Sequence, residues 1–303
     1  MRPIQVFRNV LQVSVVCLSF LACNEPLPEE QVEKTRTGQV PLSIDYNEVG
    51  GSLSNLIYRA KFAYNNSGQL VSVTDSVLTP SATPNGRALP WVNFYYQQGK
   101  LSEIVLRSNA IYFDQYNPQT DQNASRFYFE YSGNTVNVRQ AVGAKQLRKF
   151  DFKTDENGFP VRNNVVYGST FLDAAGNIDY VAETNAAKER NPLGAWEVID
   201  RKFDNNKNIF SNSKEFQILG VVLAVSDWNL TTSFIPYLGI LTTNNELSKT
   251  VRYCNTTDGC RPASKVESET PSVDEKGFPT LRLTQVGAMG RHQYVVTYQK
   301  GKN

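Results

Sequence analysis

The clearest pattern along the chain is an alternation of aromatic and polar residues that ends at a glycine and is followed by aliphatic residues. It occurs three times, with turn glycines at Gly68, Gly99 and Gly133. Aromatic residues at every second position are typical of a half-buried β-strand, and an Asn/Ser/Gly-rich turn between two such runs indicates a hairpin. The chain is therefore predicted to be mainly β, an extended, curved antiparallel sheet built as a meander of hairpins.

The aliphatic residues after these turns do not keep a strict period of two. An apolar residue lies five positions after each glycine, at Val73, Ile104 and Val138, whereas Leu70 and Leu101 lie two positions after theirs. Residues of unlike parity face opposite sides of a regular strand. Both can face the core only if the strand contains an extra residue, so we expect a bulge or bend in the returning strands.

The pattern changes around residues 186–230, where we expect a short helical or loop insertion. Residues 216–228 form the most apolar stretch outside the N-terminus. They are too few to span a bilayer, which needs about 20 residues in a helix. Their periodicity allows a core helix or a buried strand, and Gly220 with three nearby valines counts against the helix.

The N-terminus has the pattern of a secretory signal. Arg2 and Arg8 precede an apolar run from Val10 to Ala22, and Cys23 follows a small residue. This arrangement resembles the lipobox of bacterial lipoproteins, which implies cleavage before Cys23 and lipid attachment to its thiol. The alternative is an ordinary cleaved signal with a coincidental cysteine. The resemblance implies a lipoprotein of the bacterial cell envelope, held at the outer membrane on its periplasmic or surface-exposed face.

We accordingly expect three regions: a signal peptide at 1–22, the lipidated cysteine with a flexible tether at 23–43, and a single β domain at 44–303. Residues 24–43 hold three prolines and four glutamates, a composition that cannot bury enough apolar surface to fold alone. The alternative is that a first strand near Val40 to Ile44 joins the domain.

Composition narrows the function classes. The chain has 303 residues, 31 basic against 29 acidic residues, one histidine and four cysteines. Removing Arg2 and Arg8 with the signal leaves 29 of each sign, and such a neutral chain is not expected to bind nucleic acid. The single histidine, His292, excludes a His-rich metal site and any scheme that needs two imidazoles. We expect neither a cofactor nor a metal.

The cysteines divide by role. Cys17 leaves with the signal and Cys23 takes the lipid, so Cys254 and Cys260 remain to pair in an oxidising compartment. Free thiols are one alternative. A redox pair is another, although redox pairs usually have the closer C-x-x-C spacing.

Two acidic turns and one Asn-rich segment offer oxygens that could bind a metal. Asp155-Glu156 and Asp274-Glu275 precede two Gly-Phe-Pro turns, and FDNNKN at 203–208 adds further oxygens. A calcium site needs six to eight suitably spaced oxygens, whereas Asp and Asn side chains commonly stabilise turns. The turn interpretation is preferred.

Several of these features together resemble uncharacterised lipoproteins of Bacteroidetes-type bacteria with YD-repeat-like β-hairpins. The features are the lipobox at Cys23, the aromatic hairpins, FDNNKN, the pair Asn244-Asn245, and D-E-x-G-F-P before the last strand. The resemblance implies an antiparallel β-sheet and supplies no catalytic residues.

No catalytic constellation is present, so we expect a non-enzymatic binding or scaffold module for a glycan, a peptide or an envelope protein. Trp91, Trp196 and Trp228 are the candidate ligand contacts, because indoles stack on sugars and anchor protein partners. The alternative is that they belong to the core. A carboxylate-dependent hydrolase such as a glycosidase and a carrier of an apolar ligand at 216–228 are the alternative functions.

Overall fold

The computed structural model describes residues 40–50, 53–77, 89–107, 120, 122–190, 196–226, 241–255, 259–268, 271–286 and 291–298. Residues 38–303 form one compact unit. Every described strand pairing lies within this unit, so it carries its own core, and a unit with its own core can in principle fold alone. No helix in the described part of the chain is long and apolar enough to cross a membrane.

The described elements are mainly strands, with two short helices. The strands are β1 (Pro41–Gly50), β2 (Leu53–Tyr64), β3 (Leu70–Val77), β4 (Leu89–Gln97), β5 (Lys100–Leu106), β6 (Ser125–Ser132), β7 (Thr135–Val142), β8 (Lys145–Lys153), β9 (Val165–Tyr167), β10 (Thr170–Leu172), β11 (Trp196–Lys207), β12 (Asn244–Asn255), β13 (Gly259–Ser268), β14 (Ser272–Val273), β15 (Pro279–Val286) and β16 (Arg291–Tyr298). The helices are α1 (Tyr180–Arg190) and α2 (Lys214–Ser226).

The predicted antiparallel sheet of hairpins is confirmed. Among the described strands, 13 follow the order β11-β12-β13-β15-β16-β1-β2-β3-β4-β5-β6-β7-β8, with β14 pairing β15 at the side, and β9 and β10 form a separate pair. Strands β1 to β8 are neighbours in both sequence and space, as in a meander. The last strand, β16, pairs with the first, β1, which joins the two ends of the unit.

The three predicted glycine turns connect β2–β3, β4–β5 and β6–β7, and each glycine has a positive φ. The expected bulge is present in β3 and β5, where Val71 and Ser102 have no partner in the register. As a result, Leu70 and Val73 are both fully buried. In β7 the register is continuous, so the bulge expectation is wrong for that strand.

The apolar stretch that begins at Phe216 forms the helix α2, so the propensity argument against a helix is wrong. Burial overrides propensity here, because the side chains from Phe216 to Val222 are buried and contribute to one core with the inner face of the sheet. Ser213 caps the helix by accepting a hydrogen bond from the Phe216 amide. The expected insertion thus contains α2, preceded by the strand β11.

The β domain begins earlier than position 44. The strand β1 starts at Pro41, and its register with β2 and β16 includes Ser43 and Ile44. The alternative of a first strand near residues 40–44 therefore holds.

Candidate functional site

The turn that carries D-E-x-G-F-P is organised by its first residue. The Oδ1 atom of Asp155 accepts hydrogen bonds from the amides of Asn157 and Phe159, both at 2.9 Å. Asp274 makes the same two contacts in the second copy, and Asp173 makes them in the turn after β10. The turn interpretation is confirmed.

A cleft of about 460 Å³ opens beside the Asp155 turn. One wall is the segment between β8 and β9, and the other is the connection that leads into α2. The lining residues are Asp155, Asn157, Phe159, Pro160, Val161, Arg162, Asn163 and Ser211. The cleft thus combines amides, one carboxylate, one hydroxyl and one guanidinium with an apolar strip.

Arg162 carries a buried donor in the cleft that no described residue satisfies. Its Nη1 atom is buried and has no hydrogen-bond partner among the described residues. Desolvation lowers the pKa of the guanidinium, and the charge of nearby Asp155 opposes that shift. A desolvated cation without a bonded counter-charge is unfavourable, so Arg162 favours the approach of an anionic group.

Two more buried atoms are unsatisfied within the described part of the chain, one on Ser211 in the opposite wall and one on Gln217 of α2. Among the described residues, no partner is found for the Ser211 hydroxyl or for the Oε1 atom of Gln217. Gln217 lies in the first turns of α2 and donates from Nε2 to the Ser211 carbonyl oxygen at 2.7 Å. This bond links the position of Ser211 to that of the helix.

The Arg162 wall is held by one backbone contact to the sheet and by one side-chain contact from β9. The Val161 amide donates to the Lys153 carbonyl oxygen at 2.9 Å, and the Tyr167 hydroxyl donates to the Val161 carbonyl oxygen. Burial raises the pKa of Tyr167 to about 12, so this hydroxyl keeps its proton at neutral pH. A side chain at Gly176 would meet the Cβ atom of Arg162 at 3.2 Å, which leaves little room for the wall to retreat.

A second cation lies at the rim of the cleft. Lys214, the first residue of α2, extends over the Asp155 turn, and its side chain comes within 3.3 Å of the position that a Cβ atom at Gly158 would occupy. Gly158 has a φ of 79°, so the turn requires glycine on conformational grounds as well. Two cations therefore flank a site that contains one carboxylate.

The predicted tryptophan contacts do not form this site. Trp91 is 4% exposed and belongs to the hydrophobic core; as a candidate ligand contact it is therefore wrong, because its indole fills the space under the sheet. Trp196 begins β11 opposite Cys254. Trp228 lies outside the described residues.

The other predicted residues are placed away from the cleft. Cys254 and Cys260 face each other across β12 and β13 and form a disulfide with an S–S length of 2.02 Å. His292 lies in β16 opposite Glu48 and Thr284. Cys23 lies outside the described residues.

Neither a metal-binding cluster among the described residues nor a pair of carboxylates in the cleft lining is present. No group of three or more His, Cys, Asp or Glu residues that could hold a metal occurs among the described residues. In FDNNKN, the Asp204 carboxylate accepts hydrogen bonds from the backbone and side chain of both Asn206 and Asn245. Asp155 is the single acidic residue of the cleft lining, whereas glycoside hydrolysis uses a pair.

Sequence reasoning identified the Asp155 turn but not Arg162 or Ser211. Neither residue has a local signal, since the cleft arises only when the segment after β8 meets the connection before α2. The D-E-x-G-F-P motif forms one wall of the cleft.

Comparison with known proteins identifies no family. No protein-family description matches the chain, and no curated protein matches it. Among solved structures, a porin-like protein from Bacteroides vulgatus ATCC 8482 is similar with a TM-score of 0.31 and 12% identity, covering 86% of this chain and 99% of that one. A porin-like protein from Bacteroides uniformis ATCC 8492 has a TM-score of 0.25, 8% identity and coverages of 86% and 96%. With TM-scores this low, the likeness carries no argument.

Proposed function

We propose that this chain is a lipid-anchored bacterial envelope protein that binds an acidic glycan, with the carboxylate of a uronic acid held by Arg162. The observation that carries the proposal is the desolvated guanidinium of Arg162, whose Nη1 atom has no partner among the described residues and which lines the cleft. Arginine presents a planar fork that matches a carboxylate.

The rest of the lining supports a sugar over other anions. The side chains of Asn157, Asn163 and Ser211 offer donors and acceptors for hydroxyl groups, and Phe159 provides an apolar surface beside them. Lys214 adds positive charge at the rim. A bare inorganic anion would leave the apolar strip unused, so a ligand with both a carboxylate and a ring fits better.

Equilibrium titration of the 38–303 fragment tests this assignment, with trigalacturonate as the probe and its methyl ester as the neutral counterpart. A charge-assisted hydrogen bond contributes about 1.5–3 kcal/mol, so Arg162→Gln should weaken binding of the acid by about 10- to 100-fold. The ester should bind both proteins with equal weakness.

Arg59→Gln is the matched control, because it also removes one charge but from an ion pair with Asp45 at 2.6 Å on β1 and β2. It should bind like the unaltered protein. Equal affinity for acid and ester, or equal loss in both variants, would exclude Arg162 as the carboxylate-binding group.

The envelope location is a separate part of the proposal and rests on the N-terminal pattern ending at Cys23. Cys23→Ala should release the full chain from membranes and abolish palmitate labelling, since lipid attachment is then impossible. Unchanged membrane retention and labelling would refute the anchor without affecting the cleft.

A further inference from the structure

Asp155 has one carboxylate oxygen that its turn uses and a second one that the turn does not use. The Oδ1 atom accepts from the amides of Asn157 and Phe159, both at 2.9 Å. No hydrogen bond or ion pair of the Oδ2 atom is found among the described residues, and the residue is exposed. Asp155 therefore keeps an acceptor, unused by the described residues, in the cleft that it lines.

The turn also fixes the direction of this acceptor. The Asp155 amide donates to the Phe159 carbonyl oxygen at 2.8 Å, and the Gly158 amide donates to the Asp155 carbonyl oxygen at 3.1 Å. Because the backbone is held in this way, rotation of the carboxylate would break both bonds to Oδ1. A group that is already oriented loses less conformational entropy when it binds a ligand.

Two other turns of the chain show that the second oxygen is not needed to form the turn. Asp173 and Asp274 also accept two backbone amides through Oδ1. Neither residue lines the cleft. The three turns thus share a structural role for Oδ1, and of the three aspartates only Asp155 shares the cleft with Arg162.

The charges around Asp155 decide which kind of group its second oxygen can take. The negative charge of Asp155 acts on the Arg162 guanidinium, yet no ion pair joins these two side chains in the described structure. A metal cation at Oδ2 would be repelled by Arg162, and a carboxylate at Oδ2 would be repelled by Asp155 itself. A neutral donor such as a hydroxyl group avoids both repulsions.

We infer that Asp155 determines specificity in the cleft by accepting a hydrogen bond from a ring hydroxyl of the uronic acid whose carboxylate binds Arg162. The inference rests on the proposed function and narrows its ligand. A simple carboxylate can engage only the guanidinium, whereas a uronic acid carries a carboxylate and hydroxyl groups on one ring and can engage both side chains. The bond to Asp155 is strong because its acceptor is ionised.

Calorimetric titration of the full chain with galacturonate and with tetrahydropyran-2-carboxylate tests this role. Both probes carry one carboxylate on the same kind of ring, but only galacturonate carries hydroxyl groups. Asp155→Asn keeps an oxygen for the two amides of the turn and replaces the charged acceptor by an amide. It should lower the preference for galacturonate about tenfold, since a hydrogen bond to a charged group is stronger than one to a neutral group by about that factor. The repulsion that Asp155 exerts on a carboxylate is lost for both probes alike, so it cancels in this ratio.

Asp274→Asn is the matched control, because it makes the same change in a turn with the same two contacts outside the cleft lining. It should leave the preference for galacturonate unchanged. Asp155→Ser retains one oxygen for the turn but has no second oxygen, and it should lower the preference as Asp155→Asn does.

Two results would overturn this inference alone. One is an unchanged preference in both Asp155 variants while Arg162→Gln still weakens the binding of both probes. The other is an equal fall in preference in Asp274→Asn. Binding of neither probe, or binding that does not depend on Arg162, would overturn the proposed function and this inference with it.

Discussion

Arg162→Met separates a binding role for Arg162 from a structural one. Methionine keeps an unbranched apolar side chain of similar reach but removes the guanidinium. In the folded protein this group is desolvated, and its Nη1 atom has no acceptor among the described residues. An unsatisfied buried polar group is unfavourable by about 1–3 kcal/mol. The opposing loss is the attraction to Asp155, whose side chain is exposed and therefore contributes less than about 1 kcal/mol.

The balance predicts that Arg162→Met stabilises the 38–303 fragment by about 1 kcal/mol while removing the affinity for trigalacturonate. Urea unfolding followed by circular dichroism measures the first quantity. The control is Arg126→Met, which breaks a half-buried ion pair with Glu103 at 2.8 Å and should destabilise the protein. A loss of about 2 kcal/mol or more at Arg162, within the range for removing a buried hydrogen-bond partner, would show that Arg162 stabilises the fold and would refute the reasoning.

Three further predictions concern stability. Phe216→Ala should lower the free energy of unfolding in urea by about 4 kcal/mol, because the ring is fully buried against Phe62 and Phe210. The control is Val181→Ala at an exposed position of α1, which should lower it by less than about 1 kcal/mol. An equally small loss for Phe216→Ala would contradict the packing. Tyr96→Phe should lower the free energy of unfolding by about 1–2 kcal/mol, because the Tyr96 hydroxyl donates to the Leu70 carbonyl oxygen at 2.6 Å and burial raises the pKa of Tyr96. Tyr131→Phe, at a more exposed tyrosine, should lower it by less. The reverse order would contradict the account. Glu183→Gln should stabilise the fragment by about 0.5 kcal/mol at pH 7, because desolvation raises the pKa of Glu183 and the folded state then disfavours the ionised carboxylate. This gain should vanish below about pH 4, where the carboxyl is protonated in both the folded and the unfolded state. A gain that does not depend on pH, measured by thermal unfolding, would show that it does not come from the ionisation of Glu183.

The hairpins could be predicted because their signals are local. Leu70 and Val73, which follow Gly68, are an odd number of residues apart, yet both reach the same core. This spacing predicts the extra residue that the structure shows at Val71. The continuous register of β7 was not foreseen, although Val136 and Val138 are two apart and need no extra residue. The spacing of apolar residues thus predicts whether a strand contains a bulge, provided that those residues all face the core.

Long-range features could not be read in the same way. The pairing of β16 with β1 depends on residues at opposite ends of the chain, and no turn motif encodes it. The helix α2 forms despite its valines because the core surrounds it. The cleft requires Arg162 and Ser211 to meet across separate connections, and each residue alone resembles an ordinary loop residue.

The most direct test of the central claim is a crystal structure of the 38–303 fragment with trigalacturonate. The account predicts a uronic acid carboxylate within hydrogen-bonding distance of the Arg162 guanidinium, with a sugar hydroxyl at Ser211 and the ring beside Phe159. Trigalacturonate bound at another surface, with the cleft beside Arg162 holding no sugar, would contradict it.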